Sequence, residues 1–302
     1  MFSSLASLLT FLAIAPLLQG VATRTKSALT GRRGPPVLQP YADLWKLARR
    51  GTVVSATTTW IFRLVPPAVA ACAVIAATLL PLDGHAALLR FSGDAIAFVY
   101  LLALGRFLLA LAALDTGSSF EGMGASREVT VAAFVEMGFF VVLGVLSLAT
   151  GELSLTGMLT GTTGDRLWSA APSLVMVVLG LFALLLAESA RVPVDDPATH
   201  LELTMIHEVM VLDQSGPDLA LVLFASAAKF AAYAAILVSL LVPRSSMPWP
   251  LALGVLVAGL TSVAVAVGVV ESTMARLRLP KVPLYLAGAT ALAGFGLVLL
   301  LR

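Results

Sequence analysis

Eight long stretches, almost wholly apolar, dominate this 302-residue sequence. A helix needs roughly 20 apolar residues to cross the hydrocarbon core of a bilayer. The pattern therefore predicts an all-α integral membrane protein with about eight transmembrane helices, forming a single transmembrane domain over residues 1–302. Composition agrees, because 59% of the residues are hydrophobic and only 12% are charged, whereas soluble domains are nearer half apolar and a quarter charged. The apolar runs are 3–23, 62–81, 92–114, 129–149, 170–188, 217–242, 249–270 and 283–301.

Orientation follows from the Lys and Arg residues between the runs. Of the 19 basic residues, 13 lie in the connections after the first, third, fifth and seventh runs, and four lie on the other side. Cytoplasmic loops of membrane proteins carry the excess of positive charge. The sequence therefore predicts a multi-pass protein of the cytoplasmic membrane with both its N- and C-termini periplasmic. The predicted cytoplasmic connections are 24–61, 115–128, 189–216 and 271–282.

A short amphipathic helix is predicted between the first two runs, in VLQPYADLWKLARRG (37–51). Its apolar residues recur at spacings of three and four, and charged residues lie on the other faces. Such a helix lies in the membrane interface, with its rings toward lipid and its cations toward anionic headgroups. It serves either as a plain surface anchor or as part of the frame of a site. The apolar positions are Leu38, Tyr41, Leu44, Trp45 and Ala48.

The chain lacks the residues that usually hold redox centres. Cys72 is the only cysteine, whereas an iron–sulfur cluster takes four thiolates and a c-type haem takes a Cys pair followed by His. The three histidines lie outside the apolar runs, so a haem held by two histidines of the spanning helices is excluded. His200 and His207 are seven residues apart without an HExxH motif, which disfavours a catalytic zinc. We therefore expect no cofactor or metal on this chain, and its net charge of +2 indicates no nucleic-acid partner.

Charged residues crowd two of the predicted cytoplasmic connections. One segment, 188–213, begins as the fifth run ends, and DTGSSFEGMGASRE (115–128) joins the third and fourth runs. Leucine, valine and methionine alternate with the charges after residue 200, so this segment is predicted to be partly buried rather than a solvated loop. The candidate residues are Asp115, Glu121, Arg127, Glu128, Glu188, Arg191, Asp195, Asp196, His200, Glu202, His207, Glu208 and Asp213.

Four more ionisable residues lie within the predicted spans or at their ends. Each charge costs at least a few kcal/mol near the bilayer centre, and such residues are usually functional. We interpret Arg106, deep in the third span, as a residue whose pairing holds the bundle together. Glu136, about two turns into the fourth span, is interpreted as functional, because a carboxyl in a low dielectric can load and release protons near neutral pH. The same argument applies to Lys229 in the sixth span, and Glu271 closes the seventh.

Two motifs carry a resemblance to a known family. AESARVPVD (187–195) matches an A-E-x-x-R-x-P-[FV]-D pattern after the fifth helix, and Arg127 precedes Glu136 by nine residues. Together with the eight spans and the amphipathic helix, these motifs resemble the complex I membrane protein called ND-one. DTGSSFEGMGASRE and DDPATHLELTMIHEVMVLDQSGPDLAL are more similar to the hydrogenase branch of that family, the membrane subunits of formate hydrogenlyase and other energy-converting [NiFe] hydrogenases.

The resemblance implies a non-catalytic subunit that docks a hydrophilic electron-transfer arm and starts a buried carboxylate path toward antiporter-like membrane subunits. The implied partners are an [NiFe] hydrogenase large subunit and a small iron–sulfur subunit, which would carry the [NiFe] centre and the iron–sulfur clusters. Arg191 is expected to clamp Glu188, Asp195 or an acidic group of a partner. The implied docking residues are Asp115, Glu121, Arg127, Glu128, Glu188, Arg191, Asp195, Asp196 and His200, and the implied proton path holds Glu136, Glu202, Glu208, Asp213, His207, Lys229 and Glu271.

Two other functions stay open at the level of sequence. In complex I, the ND-one protein helps to form the quinone cavity of a proton-pumping NADH–quinone oxidoreductase, whereas the hydrogenase branch reduces protons and need not bind quinone. The sequence after Asp195 departs from the complex I members and favours the hydrogenase branch. The other alternative is a stand-alone secondary transporter. Transporters are usually built from internal repeats around a mid-membrane site, but this sequence shows no clear repeat and its charges crowd the cytoplasmic edge.

Overall fold

The computed structural model describes residues 2–161, 171–195 and 206–301. Every regular element within those ranges is a helix, and eight of the helices are long and apolar enough to cross a membrane. The predicted all-α, multi-pass class is therefore confirmed. The α-helices are α1 (Phe2–Leu29), α2 (Gln39–Ala48), α3 (Trp60–Thr78), α4 (Asp94–Asp115), α5 (Ser119–Thr150), α6 (Leu155–Thr160), α7 (Ala171–Glu188), α8 (Gly216–Leu241), α9 (Trp249–Thr273) and α10 (Val282–Leu300), and 3₁₀ turns span Glu208–Val211 and Leu279–Lys281.

The helix α5 begins at Ser119, well before the fourth apolar run. Most of the predicted connection 115–128 is therefore helical, and its cytoplasmic placement stays a prediction. Hydropathy detects the apolar part of a helix, whereas this first part is polar on one side and packs on the other. A Cβ added to Gly124 would lie 2.1 Å from Val209 Cγ1, so only glycine allows this approach. Glu136 consequently lies in the middle of α5 rather than about two turns from its start.

The predicted amphipathic helix is present as α2, which packs against α1 and α8 without fully burying any of its own residues. The Tyr41 hydroxyl donates a hydrogen bond to the Ala13 carbonyl of α1, so this ring faces the bundle, which corrects the prediction that it faces lipid. Trp45, one turn further along α2, is 62% exposed. The Arg49 guanidinium lies 4.1 Å from the centroid of the Trp45 ring, a cation–π contact. One ring of α2 therefore anchors the helix, and the other stays exposed.

The central helix of the bundle is α8. In its most apolar stretch, 78% of the residues are buried, compared with 28–50% in the corresponding stretches of the other spanning helices. Small residues let neighbouring helices approach closely within membranes, and α8 is rich in alanine over its buried length. It contacts α1, α2, α3, α6, α7 and α9. A polar residue in the middle of α8 is therefore surrounded by protein on every side.

Glycine also brings α7 and α10 into close contact. A Cβ added to Gly180 of α7 would lie 2.9 Å from the Ala289 carbonyl oxygen and 3.3 Å from the Ala293 nitrogen of α10. Both are backbone atoms, which cannot rotate away as the end of a side chain can. Gly288 on α10 differs, because no heavy atom lies within 4 Å of its Cβ position.

Gly180→Val is expected to lower the melting temperature of the detergent-purified chain, because overpacking of this kind usually costs about 1–3 kcal/mol. Gly288→Val is the matched control, since it makes the same change in open space, and its melting temperature should stay near that of the unmodified chain. Thermal unfolding followed by circular dichroism measures both. Equal melting temperatures for the two variants would contradict the close packing of α7 against α10.

Candidate functional site

Glu188, the last residue of α7, is the centre of a buried ionic network. Its Oε1 lies 2.7 Å from Arg106 Nη1 of α4, and its Oε2 lies 3.2 Å from Lys229 Nζ of α8. The Tyr233 hydroxyl, one turn after Lys229, donates a hydrogen bond of 3.0 Å to Glu188 Oε1. Arg106, Glu188 and Lys229 are each at most 9% exposed. One buried carboxylate is therefore shared by two cations and a phenol.

Arg106 connects Glu188 to the outer face of α5. Its Nη2 donates a hydrogen bond of 2.8 Å to Glu136 Oε1, so Arg106 pairs with two carboxylates at once. The Glu136 side chain is 32% exposed. Together with Glu128 it lines a groove of about 210 Å³ between α4 and α5. The network thus extends from the centre of the bundle to its lateral surface.

A second ionic cluster lies at the ends of α1, α7 and α9 that are predicted to be cytoplasmic. Ala190 adopts a left-handed φ of 50°, which ends α7 and lets the Arg191 N–H donate to the Leu186 carbonyl at 2.9 Å. The Arg191 Nη1 then lies 3.2 Å from Glu271 Oε1, and Lys26 Nζ lies 3.9 Å from Glu271 Oε2. Arg191 therefore pairs with Glu271 of α9 rather than with Glu188 or Asp195, which corrects those two expectations, while its contact with an acidic group of a partner stays a prediction.

Asp195 holds the segment that starts at Ile206, the first described residue after 195. Its Oδ1 accepts a hydrogen bond of 2.8 Å from Arg276 Nη2, and its Oδ2 accepts bonds from the N–H groups of Ile206 and His207 at 3.2 and 3.1 Å. Such charge-assisted bonds are the strong ones. Burial lowers the pKa of His207 to about 4, and the charge of Lys229 acts in the same direction. His207 is therefore neutral at pH 7, and its imidazole has one hydrogen-bond donor and one acceptor.

Three other predicted residues lie apart from both ionic clusters, and two of them, Glu121 and Asp115, hold loops. Glu121 Oε1 accepts a hydrogen bond of 3.0 Å from the Asp213 N–H, which ties the start of α8 to α5. The Asp115 carboxylate accepts bonds of 2.7 and 2.8 Å from the N–H and hydroxyl of Thr59, the residue that caps α3. Arg127 Nη2 lies 3.0 Å from Met123 Sδ. These contacts organise the ends of helices.

Sequence reasoning missed one member of the network, Tyr233. The available signal was its spacing, one turn from Lys229 in the same span, which puts both side chains on one face. Glu208 is half-buried at the start of its 3₁₀ turn. The predicted site residues Asp196, His200 and Glu202 lie outside the described residues.

A small cavity of about 40 Å³ adjoins the network between α3, α4 and α8. Its wall is mostly apolar, with Cys72 among the lining residues, but it includes Arg106, His207 and Lys229. The volume suffices for roughly three water molecules, and water needs polar partners of this kind. The cavity can therefore connect the neutral His207 imidazole with the buried cations. Within the described ranges, no group of three or more His, Cys, Asp or Glu side chains is arranged to hold a metal ion.

The arrangement is suited to coupled protonation. Charges that interact in a low-dielectric interior titrate together, so a proton gained by one carboxylate changes the affinity of its neighbours. Glu188 and Glu136 share Arg106, so a change in charge at one carboxylate alters the electrostatic surroundings of the other. Because one is buried and the other opens to the lateral groove, a change at either carboxylate is felt across the wall of the bundle.

Glu188→Gln is expected to destabilise the chain far more than Glu136→Gln, its matched control on the other side of Arg106. Loss of one partner from a buried ion pair typically costs about 3–5 kcal/mol, because it leaves charge uncompensated. Glu136 is partly exposed and its removal leaves Glu188 in place. Melting temperatures in detergent measure the difference. Equal losses in the two variants would show that Glu188 is not the centre of the network.

The comparisons with known proteins agree with the motifs. A family model described as NADH dehydrogenase matches residues 3–300. Hydrogenase-4 component C of Escherichia coli (strain K12) is 32% identical over 80% of this chain and 75% of its own length. Formate hydrogenlyase subunit 4 of the same strain is 31% identical over 97% of this chain and 94% of its own. An NADH-quinone oxidoreductase subunit of Anaplasma phagocytophilum (strain HZ) is 28% identical over 59% of this chain and 58% of its own length.

The fold has a counterpart among solved structures. A chain in the structure of the membrane-bound sulfane sulfur reductase (MBS), an archaeal respiratory membrane complex, superposes with a TM-score of 0.82 and covers 99% of this chain and 98% of its own. Its sequence identity is 18%, so this likeness concerns the fold. The family match extends over nearly the whole sequence, and two relatives exceed 30% identity. The chain belongs to the NADH dehydrogenase family, the ND-one-like membrane proteins of complex I and its relatives that its motifs resemble.

Proposed function

We propose that this chain is the membrane-anchor and proton-path subunit of a membrane-bound [NiFe]-hydrogenase complex of the formate hydrogenlyase type, in the cytoplasmic membrane. The observation that carries the proposal is the Glu188 network, in which two cations share one carboxylate inside an apolar bundle. Ionic groups at such depth are expensive and usually functional. The relatives named as a hydrogenase component and a formate hydrogenlyase subunit support this branch, because the alignments extend over most of their lengths.

The proposed partners are an [NiFe] large subunit, a small iron–sulfur subunit and an antiporter-like membrane subunit. The first two would carry the metal centres and dock on the cytoplasmic connections. Among the proposed docking residues, Glu121, Glu188, Arg191 and Asp195 are at most 8% exposed. They would therefore act by fixing the segments that form the docking surface, rather than by touching a partner. The other docking candidates are Asp115, Arg127, Glu128, Asp196 and His200.

The proposed proton path begins near His207 and reaches Glu136 through the buried network. The cavity between α3, α4 and α8 adjoins both His207 and Lys229. Lys229 contacts Glu188, and Arg106 links Glu188 to Glu136. A redox event in the attached arm would change the protonation of one group, and Coulomb coupling would pass the change along. The remaining path candidates are Glu202, Glu208, Asp213 and Glu271.

The face around Glu136 is the proposed contact with the antiporter-like subunit. A carboxylate that is 32% exposed on a spanning helix would face hydrocarbon if it were not covered, and burying such a group without a partner is costly. Phe107 and Val129, which line the same groove, are each 56% exposed. A membrane-spanning partner that offers a polar group to Glu136 and apolar surface to its neighbours fits this face.

The quinone-site membrane subunit of a proton-pumping NADH–quinone oxidoreductase is the second candidate. The lining of the cavity beside Cys72 favours it, because it is mostly apolar with a few polar tips. The volume of about 40 Å³ is too small for a quinone ring, however, so the helices around it would have to move apart. The NADH-quinone oxidoreductase relative from Anaplasma phagocytophilum aligns over only 58% of its own length, which favours the hydrogenase branch.

Extraction of the tagged chain from native membranes in mild detergent tests the choice between these functions. We expect an [NiFe] large subunit and a small iron–sulfur subunit to co-purify, together with hydrogen evolution. A quinone-reducing NADH module in their place would assign the chain to complex I. A chain that came out alone and transported a solute in liposomes would overturn the docking proposal and support a secondary transporter.

Glu136→Gln is expected to assemble normally but to lose coupled proton translocation. Glutamine keeps the size and the hydrogen bond to Arg106 but cannot carry a proton, and a positioned proton-transfer group contributes roughly a hundredfold or more. Hydrogen turnover and proton uptake are measured together in membrane vesicles. Glu152→Gln, in the turn after α5, is the control and should behave like the unmodified chain. Normal coupling in Glu136→Gln would remove this residue from the path.

Arg191→Ala is expected to release the hydrophilic arm, because Glu271 loses its short ion pair and the turn after α7 loses its anchor. The readout is the fraction of hydrogenase large subunit that remains with washed membranes. Arg191→Lys keeps the charge and should retain most of it. If the large subunit stayed membrane-bound in the alanine variant, Arg191 would have no part in docking.

A further inference from the structure

The spanning helices carry their polar residues in two layers with an apolar layer between them. The ionic network forms one layer, with Arg106, Glu136 and Lys229 on α4, α5 and α8. Further toward the other end of the same helices, beyond the rings described next, lie Asp94 on α4 and Ser239 on α8, both buried. Ten residues separate Lys229 from Ser239, which corresponds to about 15 Å of helix.

Aromatic rings fill the space directly beyond the ionic network. Phe98 of α4, Phe139 of α5 and Tyr233 of α8 have ring centroids 5.1 to 6.4 Å apart, and none is more than 2% exposed. On α8 the next full turn is also apolar, and Ile236 and Leu237 are at most 2% exposed. Hydrocarbon side chains packed in this way leave little room for water. The layer separates the network from the far end of the bundle.

Arg244 closes the far end of the bundle. It lies between α8 and α9 and is only 4% exposed, with Nη1 donating to the Leu82 carbonyl at 2.8 Å and Nη2 donating to Ser239 Oγ at 2.7 Å. A Cβ added to Gly84, whose φ is +79°, would lie 2.7 Å from Arg244 Cβ. Only glycine in that left-handed conformation therefore lets the α3–α4 loop seat against Arg244.

Within the described ranges, the charge of Arg244 is held without a direct counter-ion. Among the described residues, no carboxylate forms an ion pair with it, and its Nε is buried without a hydrogen-bond partner. Asp83 lies nearby, but its oxygens accept bonds from Ser4 Oγ and the His85 N–H. Burial lowers the pKa of Arg244 to about 10, against the opposing effect of Asp83, so the guanidinium stays charged at neutral pH.

We propose that Arg244 and the apolar layer beneath it form a permeability barrier that insulates the ionic network from the outer side of the membrane. A fixed cation at a constriction repels hydrated protons and other cations, and the apolar layer excludes the water that would carry them. Protons would then reach the network from the cytoplasmic side and leave it laterally. The barrier rests on the proposed function for its purpose, but its existence is a property of this chain alone.

Passive proton leak measures the barrier. The full chain is reconstituted in liposomes containing a pH-sensitive dye, and a potassium diffusion potential set with valinomycin drives protons inward. Arg244→Met keeps most of the volume and removes the charge, and it should raise the leak about tenfold, the change given by about 1.4 kcal/mol of barrier. Arg244→Lys keeps the charge and should leak like the unmodified chain. An unchanged leak in Arg244→Met overturns the barrier, and equal leaks in both variants overturn its electrostatic basis.

A second pair of variants tests the barrier without changing Arg244, in case Arg244→Met misfolds. Ser239→Asp would put a carboxylate where the hydroxyl accepts its bond from Arg244, which neutralises the charge while the guanidinium stays in position. It should raise the leak, whereas Ser239→Asn should not; equal leaks overturn the barrier. No redox partner is needed, so a chain that seals normally but co-purifies with no hydrogenase would disprove the proposed function and leave the barrier standing.

Discussion

The contact between Glu188 and two cations is the interaction on which the rest of the site depends. Arg106 and Lys229 lie on different helices, and neither would be tolerated in an apolar bundle without a carboxylate between them. Glu188, the last residue of α7, reaches both, and the left-handed Ala190 follows two residues later. The central position of α8 then fixes the depth at which these charges meet.

The spans could be predicted from the sequence because a bilayer demands long apolar helices and little else. The start of α5 could not, because it is stabilised by contact with a distant segment at Val209 rather than by lipid. The ionisable residues were recognised by the cost of their burial, yet their pairing was not. Arg191 belongs to the same motif as Glu188 but contacts Glu271, eighty residues further on. Helix packing decides which charged residues form ion pairs, and hydropathy does not predict helix packing.

The two ionic clusters lie at different places in the bundle and have different roles under the proposed function. The cluster of Lys26, Arg191 and Glu271 ties together the ends of α1, α7 and α9. The Glu188 network lies deeper and opens sideways at Glu136. Under the proposed function, the first cluster shapes the surface on which a partner sits, and the second responds to what that partner does. Under that function, one polypeptide both supports the partner and passes on a change in charge.

The uninterrupted course of α5 has a mechanical consequence. Gly124 lies against Val209 near one end of this helix, and Glu136 lies more than three turns further along the same rod. A helix resists stretching, so a push on the segment that carries Val209 cannot be absorbed before it reaches Glu136. It must tilt or slide the helix as a whole. Movement of the segment that carries Val209 would then alter the distance between Glu136 of α5 and Arg106 of α4.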